Sequence, residues 1–172
     1  MNIRKARVED ARPIAKVHVE SWRTTYKGMM EDDVLKQLSV DEREQKWKKI
    51  IMDLSEEFLY VAENDKGEVA GFASGGPSRS PEFAYDGELY AIYILQEYQQ
   101  KGIGRKLISK IAEKLLENGY QSMIVWVLKD NQAAKQAYIK LGGKVIGKKD
   151  IQIGKRMLVE EAFVWEDLTG FL

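Results

Sequence analysis

Apolar residues recur every three or four positions at Leu107, Ile108, Ile111, Ala112, Leu115 and Leu116. That spacing predicts a helix with one buried face, and Gly119 marks its end. Asp10 caps a second predicted helix, whose inner face uses Ile14, Val17 and Ser21. The capping box Ser39-Val-Asp-Glu42 opens a third, carrying Trp47, Ile50, Ile51 and Leu54. A fourth is capped by Asp130 or Asn131, groups Ala134, Ala137, Tyr138 and Leu141 on one face, and stops at Gly142-Gly143. Elsewhere the pattern is that of strands. Phe58–Glu63 and Glu68–Ala73 flank the hairpin loop Asn64–Gly67, and Glu88–Ile94, "ELYAIYI", is β-prone. Ser122–Leu128, "SMIVWVL", is nearly all apolar, as in a strand covered on both faces. A short strand near Asn2–Arg7 and two late ones near Val145–Ile153 and Met157–Trp165 complete the set. Ser74–Gly87 is left as a loop of about fourteen residues, a length that usually signals function or motion.

These strands first pair locally and then alternate with helices. An α/β (α+β) fold is expected: a mixed, mostly antiparallel central sheet, helices on both faces, and a parallel βαβ crossover over 88–128. A length of 172 residues favours one domain spanning 1–172. Lys+Arg and Asp+Glu both number 27, so broad electrostatic attachment to nucleic acid or to an anionic membrane is not expected. No apolar run approaches the ~20 residues of a membrane span, and "MNIRKARVEDARPIAK" has no apolar core of a secretory signal. A cytoplasmic location fits. There are no cysteines, which excludes disulfides, thiolate metal sites and a cysteine nucleophile. His18 is the single histidine and no ligand cluster accompanies it, so no metal is expected.

The stretch "QQKGIGRKLISKIAEKLLENG", residues 99–119, sets Gly102 and Gly104 against the start of the first helix above. Glycines let a backbone approach a ligand closely, and a helix start offers unpaired N–H groups with a partial positive charge. Together they make a phosphate cradle. The plain alternative is a strand-to-helix turn that needs two glycines. A third glycine would complete a dinucleotide fingerprint and G-K-[ST] a Walker loop, and neither is present.

Gln99-Gln-Lys-Gly102-Ile-Gly104, following "ELYAIYI", resembles the acyl-CoA pyrophosphate loop of the GNAT N-acetyltransferase superfamily, Q/R-x-x-G-x-G/A. Asn131-Gln-Ala-Ala134-Lys-Gln-Ala-Tyr138-Ile-Lys-Leu-Gly142 is similar to that family's N-x-x-A-x-x-x-Y-x-x-x-G helix. The match covers 88–143. Two departures are Gln96, where a proline is frequent, and Gly143-Lys144, where an aromatic is common. The resemblance implies the acyl-CoA N-acyltransferase fold and acetyl-CoA as co-substrate. It also implies transfer of the acetyl group to a primary amine of a small molecule or peptide, by direct attack in a ternary complex. A non-catalytic acyl-CoA sensor or interaction module is the alternative, and a nucleotide-binding protein a third.

The resemblance also implies roles for single residues. The backbone amides of Gln100, Gly102, Gly104 and Arg105 would hold the pyrophosphate, the Gln99 side chain would support the loop or a phosphate, and Arg105 or Lys106 would add charge or simply stay solvated. The strand edge at Ile92 and Ile94 would pair with the pantetheine amides, and Asn131 would bind that arm, position a water or cap its helix. Tyr138 matches a general acid near the sulfur, and a phenol suits the reprotonation of a thiolate. Glu88 sits where some relatives carry a carboxylate base, a role that apolar walls would favour; it could instead bind a cationic substrate or sit on the surface, with a water chain as base. Tyr90 would line the same cleft. His18, Trp22 and Tyr26 are spaced four apart and share a helical face. They would wall the acceptor site or pack on the sheet. Phe83 and Tyr85, in the long loop, would close over substrate or stay exposed. The closing "FVWEDLTGFL" has enough apolar surface for a homodimer contact or for its own sheet.

Overall fold

In the computed structural model, which describes residues 1–172, the strands are β1 Asn2–Lys5, β2 Phe58–Glu63, β3 Val69–Pro77, β4 Gly87–Ile94, β5 Met123–Leu128, β6 Lys144–Ile153 and β7 Arg156–Trp165. The helices are α1 Ala11–Thr25, α2 Asp32–Lys36, α3 Val40–Met52, α4 Ile103–Glu117 and α5 Gln132–Lys140. All seven strands join one sheet in the order β1-β2-β3-β4-β5-β7-β6. Every neighbouring pair is antiparallel except β4–β5, the crossover through α4. The mixed, mostly antiparallel sheet expected from the sequence is therefore present.

Helical periodicity decides which face each helix covers. Leu107, Ile111 and Leu115 of α4 pack with Leu89, Met123, Val125 and Phe163 on one side of the sheet, where Tyr138 of α5 joins them. Ile14 and Val17 of α1 and Trp47 of α3 pack with Leu59, Val61 and Phe72 on the other. Strand β5 is covered twice, which explains its unbroken apolar run. Met123 and Val125 face α4, while Ile124 meets Ala162 and Val164 on the far side. Truncating a residue as buried as Leu107 or Ile111 to Ala would cost about 2–5 kcal/mol.

The structure corrects several expectations. Strand β3 runs on through Gly75, Gly76 and Pro77, so the loop before β4 shrinks to 78–86. Small residues hid this extension, and packing demands them: a Cβ on Gly75 would lie 2.6 Å from Ile111 and 2.8 Å from the Glu88 carbonyl. Asp10 stands at the start of α1 but makes no side-chain cap. Its carboxylate pairs with Arg4 at 2.8 Å and accepts the Arg7 N–H at 2.7 Å. Ile50 points outward rather than into the core. The C-terminal segment packs on its own sheet: Leu168 is fully buried, and Phe171 meets Trp165 edge-on at 5.9 Å. Ser39 does cap α3, accepting the Glu42 N–H at 3.2 Å. No helix is long and apolar enough to cross a membrane.

Candidate active site

Strands β4 and β5 run together only at their starts, where Gly87, Glu88 and Leu89 lie opposite Met123, Ile124 and Val125. Leu89 faces Gly75 across the β3 ladder and Ala91 faces Ser74, so Tyr90 is an extra residue. A bulge of this kind bends its strand and sharpens the local twist. From Tyr90 to Ile94, β4 has no partner on its β5 side. Leu95 donates to the Ala70 carbonyl at 2.9 Å. Alternation along an antiparallel ladder then turns the N–H and C=O groups of Ile92 and Ile94 away from β3 and into the gap. Gln99 donates its side-chain amide to the Ile94 carbonyl at 3.0 Å, so the groups at Ile92 and the Ile94 N–H stay available.

The glycine-rich turn closes the same end of the gap. Gln100 has φ 60° and Gly102 φ 82°, both left-handed. Lys106 is the first α4 residue whose N–H closes a bond, onto Gly102 at 3.2 Å. The six N–H groups from Gln100 to Arg105 meet no acceptor in the chain. Consecutive outward-facing amides at a helix start form an anion nest. A Cβ on Gly102 would meet nothing within 4 Å, so its requirement is conformational; one on Gly104 would lie 3.4 Å from Ile94 Cδ1. Arg105 and Lys106 are exposed beside the nest. These groups fit a diphosphate with an amide-bearing arm.

Tyr138 rises from α5 into the α4 side of the sheet, packed against Phe163 at 5.9 Å and Trp165 at 5.8 Å. Its hydroxyl makes no hydrogen bond in the chain. Burial, aided by Tyr93, pushes its pKa well above the ordinary phenol value, so it stays protonated at neutral pH. Asn131 caps α5, accepting the Ala134 N–H at 3.3 Å, and its side-chain N–H₂ is left free.

The opposite face of the sheet carries a polar cluster. Glu88 is buried, and one carboxylate oxygen accepts the Arg79 backbone N–H at 2.9 Å and the Ser80 hydroxyl at 2.8 Å. Trp126 in turn donates to Ser80 at 2.8 Å. The apolar wall expected around Glu88 is thus a hydrogen-bonded one, and its second oxygen has no partner. Tyr90 shares the face, but its hydroxyl is committed to the Pro77 carbonyl and its ring lies 3.6 Å from the Arg79 guanidinium. Phe83 packs on Trp126 at 5.8 Å and would touch a Cβ on Gly147 at 2.8 Å, so the loop is pinned to β5 and β6 rather than free. Tyr85 is half-buried with it.

His18, Trp22 and Tyr26 do share one helical face. Trp22 lies 5.3 Å from His18 and 5.2 Å from Tyr26. Their common floor is Tyr93 of β4, which stacks on His18 at 5.4 Å and 11°. His18 Nδ1 accepts the Trp47 indole N–H at 3.1 Å, which leaves the proton on Nε2, buried and without a partner. Burial, Arg43 and Lys46 together pull its pKa down to about 4.

Three residues of this face escaped the sequence reading. Tyr93 has its pKa raised by burial, and Tyr26 and Trp22 act on its hydroxyl as neighbours. Glu160 of β7 is half-buried, with its pKa raised by burial and by Glu88 against the pull of Lys149. Arg43 of α3 lies 5.9 Å from the Trp22 ring. Glu160 had a readable signal: period two in Met157–Trp165 places it on the face of Leu158 and Ala162. Arg43 had none in a helix full of charges.

A profile of the acetyltransferase (GNAT) family matches residues 18–143. The chain is 44% identical over 172 residues to an uncharacterised N-acetyltransferase of Bacillus subtilis, YuaI, covering 99% of this chain and 95% of that one. Two solved structures share the fold. The ribosomal-protein-alanine N-acetyltransferase of Brucella melitensis superposes with TM-score 0.74 at 23% identity, covering 96% of this chain and 99% of the other. The PaiA N-acetyltransferase of Thermoplasma acidophilum, in complex with coenzyme A, superposes with TM-score 0.70 at 23% identity, covering 92% and 96%. The split sheet, the amide nest and these matches agree: the chain belongs to the acetyltransferase (GNAT) family.

Proposed function

We propose that this chain, acting as one domain, transfers the acetyl group of acetyl-CoA to a primary amine by direct attack in a ternary complex. The observation that carries the reading is the run of unpartnered amides from Gln100 to Arg105, set at the end of the free β4 edge. The nest takes the diphosphate, and Ile92 and Ile94 take the arm's amides as an added strand would. Asn131 offers its free N–H₂ to the same arm. The thioester supplies the activated acetyl group. As the amine nitrogen bonds to the acetyl carbon, the C–S bond breaks. Tyr138 gives its proton to the departing sulfur, and the amine loses one to the unbonded oxygen of Glu88, directly or through water. Arg105 and Lys106 add positive charge at the diphosphate.

The test is release of free thiol from acetyl-CoA across a panel of amino acids, amides, polyamines, amino sugars and short peptides. With no cysteine in the chain, a thiol reagent sees only coenzyme A. Release driven by one class of amine is the expected result. Tight coenzyme A binding with no release from any amine would turn the reading to a sensor.

A further inference from the structure

Arg43 is half-buried and is the one arginine so placed that has no carboxylate or carbonyl partner. Arg4, equally shielded, pairs with Asp10 and Glu63; Arg12, on the same helical layer, pairs with Asp41 and Glu44. A part-shielded guanidinium with no counter-ion in the chain attracts a carboxylate strongly, so the position suits an anion that arrives from outside. Beside it the Trp22 ring lies 5.9 Å away, and its buried indole N–H acts on the Tyr93 hydroxyl. Trp22 lies 6.2 Å from Tyr93, the residue on the open stretch of β4. The hydroxyl of Tyr93 feels Arg43 and Glu160 with opposite signs, and Glu160 in turn feels Glu88. Of these acids Glu88 is already bonded by Arg79 and Ser80, while Lys149 faces Glu160 and stands 3.8 Å from Glu82. Arg43 is therefore the uncompensated charge on the acceptor face.

We propose that the acceptor is an amino carboxylate, an amino acid or a close zwitterionic analogue, with its carboxylate on Arg43 and its amine toward Glu160. The inference deepens the acetyltransferase reading and rests on it. A polyamine would bring a second cation against Arg43. An amine lacking the carboxylate would leave the guanidinium without its anion, which is where a polar site discriminates most strongly.

The experiment compares each of several free amino acids with its carboxamide, its decarboxylated amine and spermidine, in wild type and in Arg43→Gln and Arg43→Lys. Wild type is expected to prefer the free acid over the amide by about 100-fold in kcat/KM. Arg43→Gln should shrink that ratio at least tenfold, chiefly through KM for the acid, with acetyl-CoA affinity held. Arg43→Lys should restore part of it. Equal or better turnover of amide, amine or spermidine by wild type overturns the proposal, as does a ratio unmoved in a folded Arg43→Gln. If no acceptor releases thiol, binding separates the two claims. A free acid that raises the melting temperature of wild type but not of Arg43→Gln upholds the subsite and overturns transfer. No shift with any acid overturns both.

Discussion

Gln99 donates to the carbonyl of Ile94 at 3.0 Å, so the last open residue of β4 is tied to the residue just before the amide nest. Replacing Gln99 with Leu frees that carbonyl and unties the nest. The expected effect is a rise of about tenfold in KM for acetyl-CoA, the worth of one hydrogen bond in positioning, with kcat changed less. Steady-state kinetics in acetyl-CoA check it.

An ideal Cβ on Gly104 would meet only Ile94 Cδ1, at 3.4 Å, so the fold itself leaves room there for a side chain. Gly104→Tyr should fill the mouth of the nest and abolish coenzyme A binding, read by calorimetry, while the melting temperature stays near that of wild type. Unchanged affinity would remove the cradle from its assigned place.

Tyr138→Phe keeps the ring between Phe163 and Trp165 and deletes only the hydroxyl. Turnover should fall by about 100-fold, as expected for loss of a general acid, with little change in coenzyme A affinity. Because the hydroxyl is held protonated by burial, it should impose no falling limb on the wild-type rate between pH 7 and 9. Equal turnover would end the acid role.

Glu88→Gln preserves an oxygen to accept from Arg79 and Ser80. A drop of about 100-fold in kcat is expected if the carboxylate takes the amine proton. A rate within a factor of two would give proton removal to a water chain.

His18 bears on stability. Its pKa falls from 6.5 to about 4 on folding, so between those values the unfolded chain binds the extra proton. The stability it contributes is fully present above pH 6.5 and is lost as pH falls toward 4, on the order of 3 kcal/mol in all. His18→Gln should be less stable at pH 7.5 and show a flatter melting-temperature profile from pH 6.5 to 4.

The proposed donor half was legible because its signals are local. Gly102, Gly104 and Asn131 announce backbone geometry and caps through their own chemistry, and each stands in sequence beside the element it shapes. The acceptor half was not, because it is assembled from afar. Glu88 meets Ser80 only because β3 extends through glycines that read as loop. Arg43 and Glu160 are 117 positions apart in the chain and share Tyr93 only after the sheet has formed. The helical face of His18, Trp22 and Tyr26 was visible, but the stacking of His18 on Tyr93 that fixes its floor was not.

The three paired residues at the root of β4 and β5 act as the pivot of two half-sheets, β1–β4 and β5–β7. Without a ligand arm between them, the backbone ladder is broken across the middle of the protein. An arm that hydrogen-bonds into the opening serves as a non-covalent rung and splints the halves. In the proposed reading, the donor is then also a structural component. The supply of coenzyme A would then set how long each molecule survives proteases, and want of the thioester would thin the protein's numbers as well as idle it.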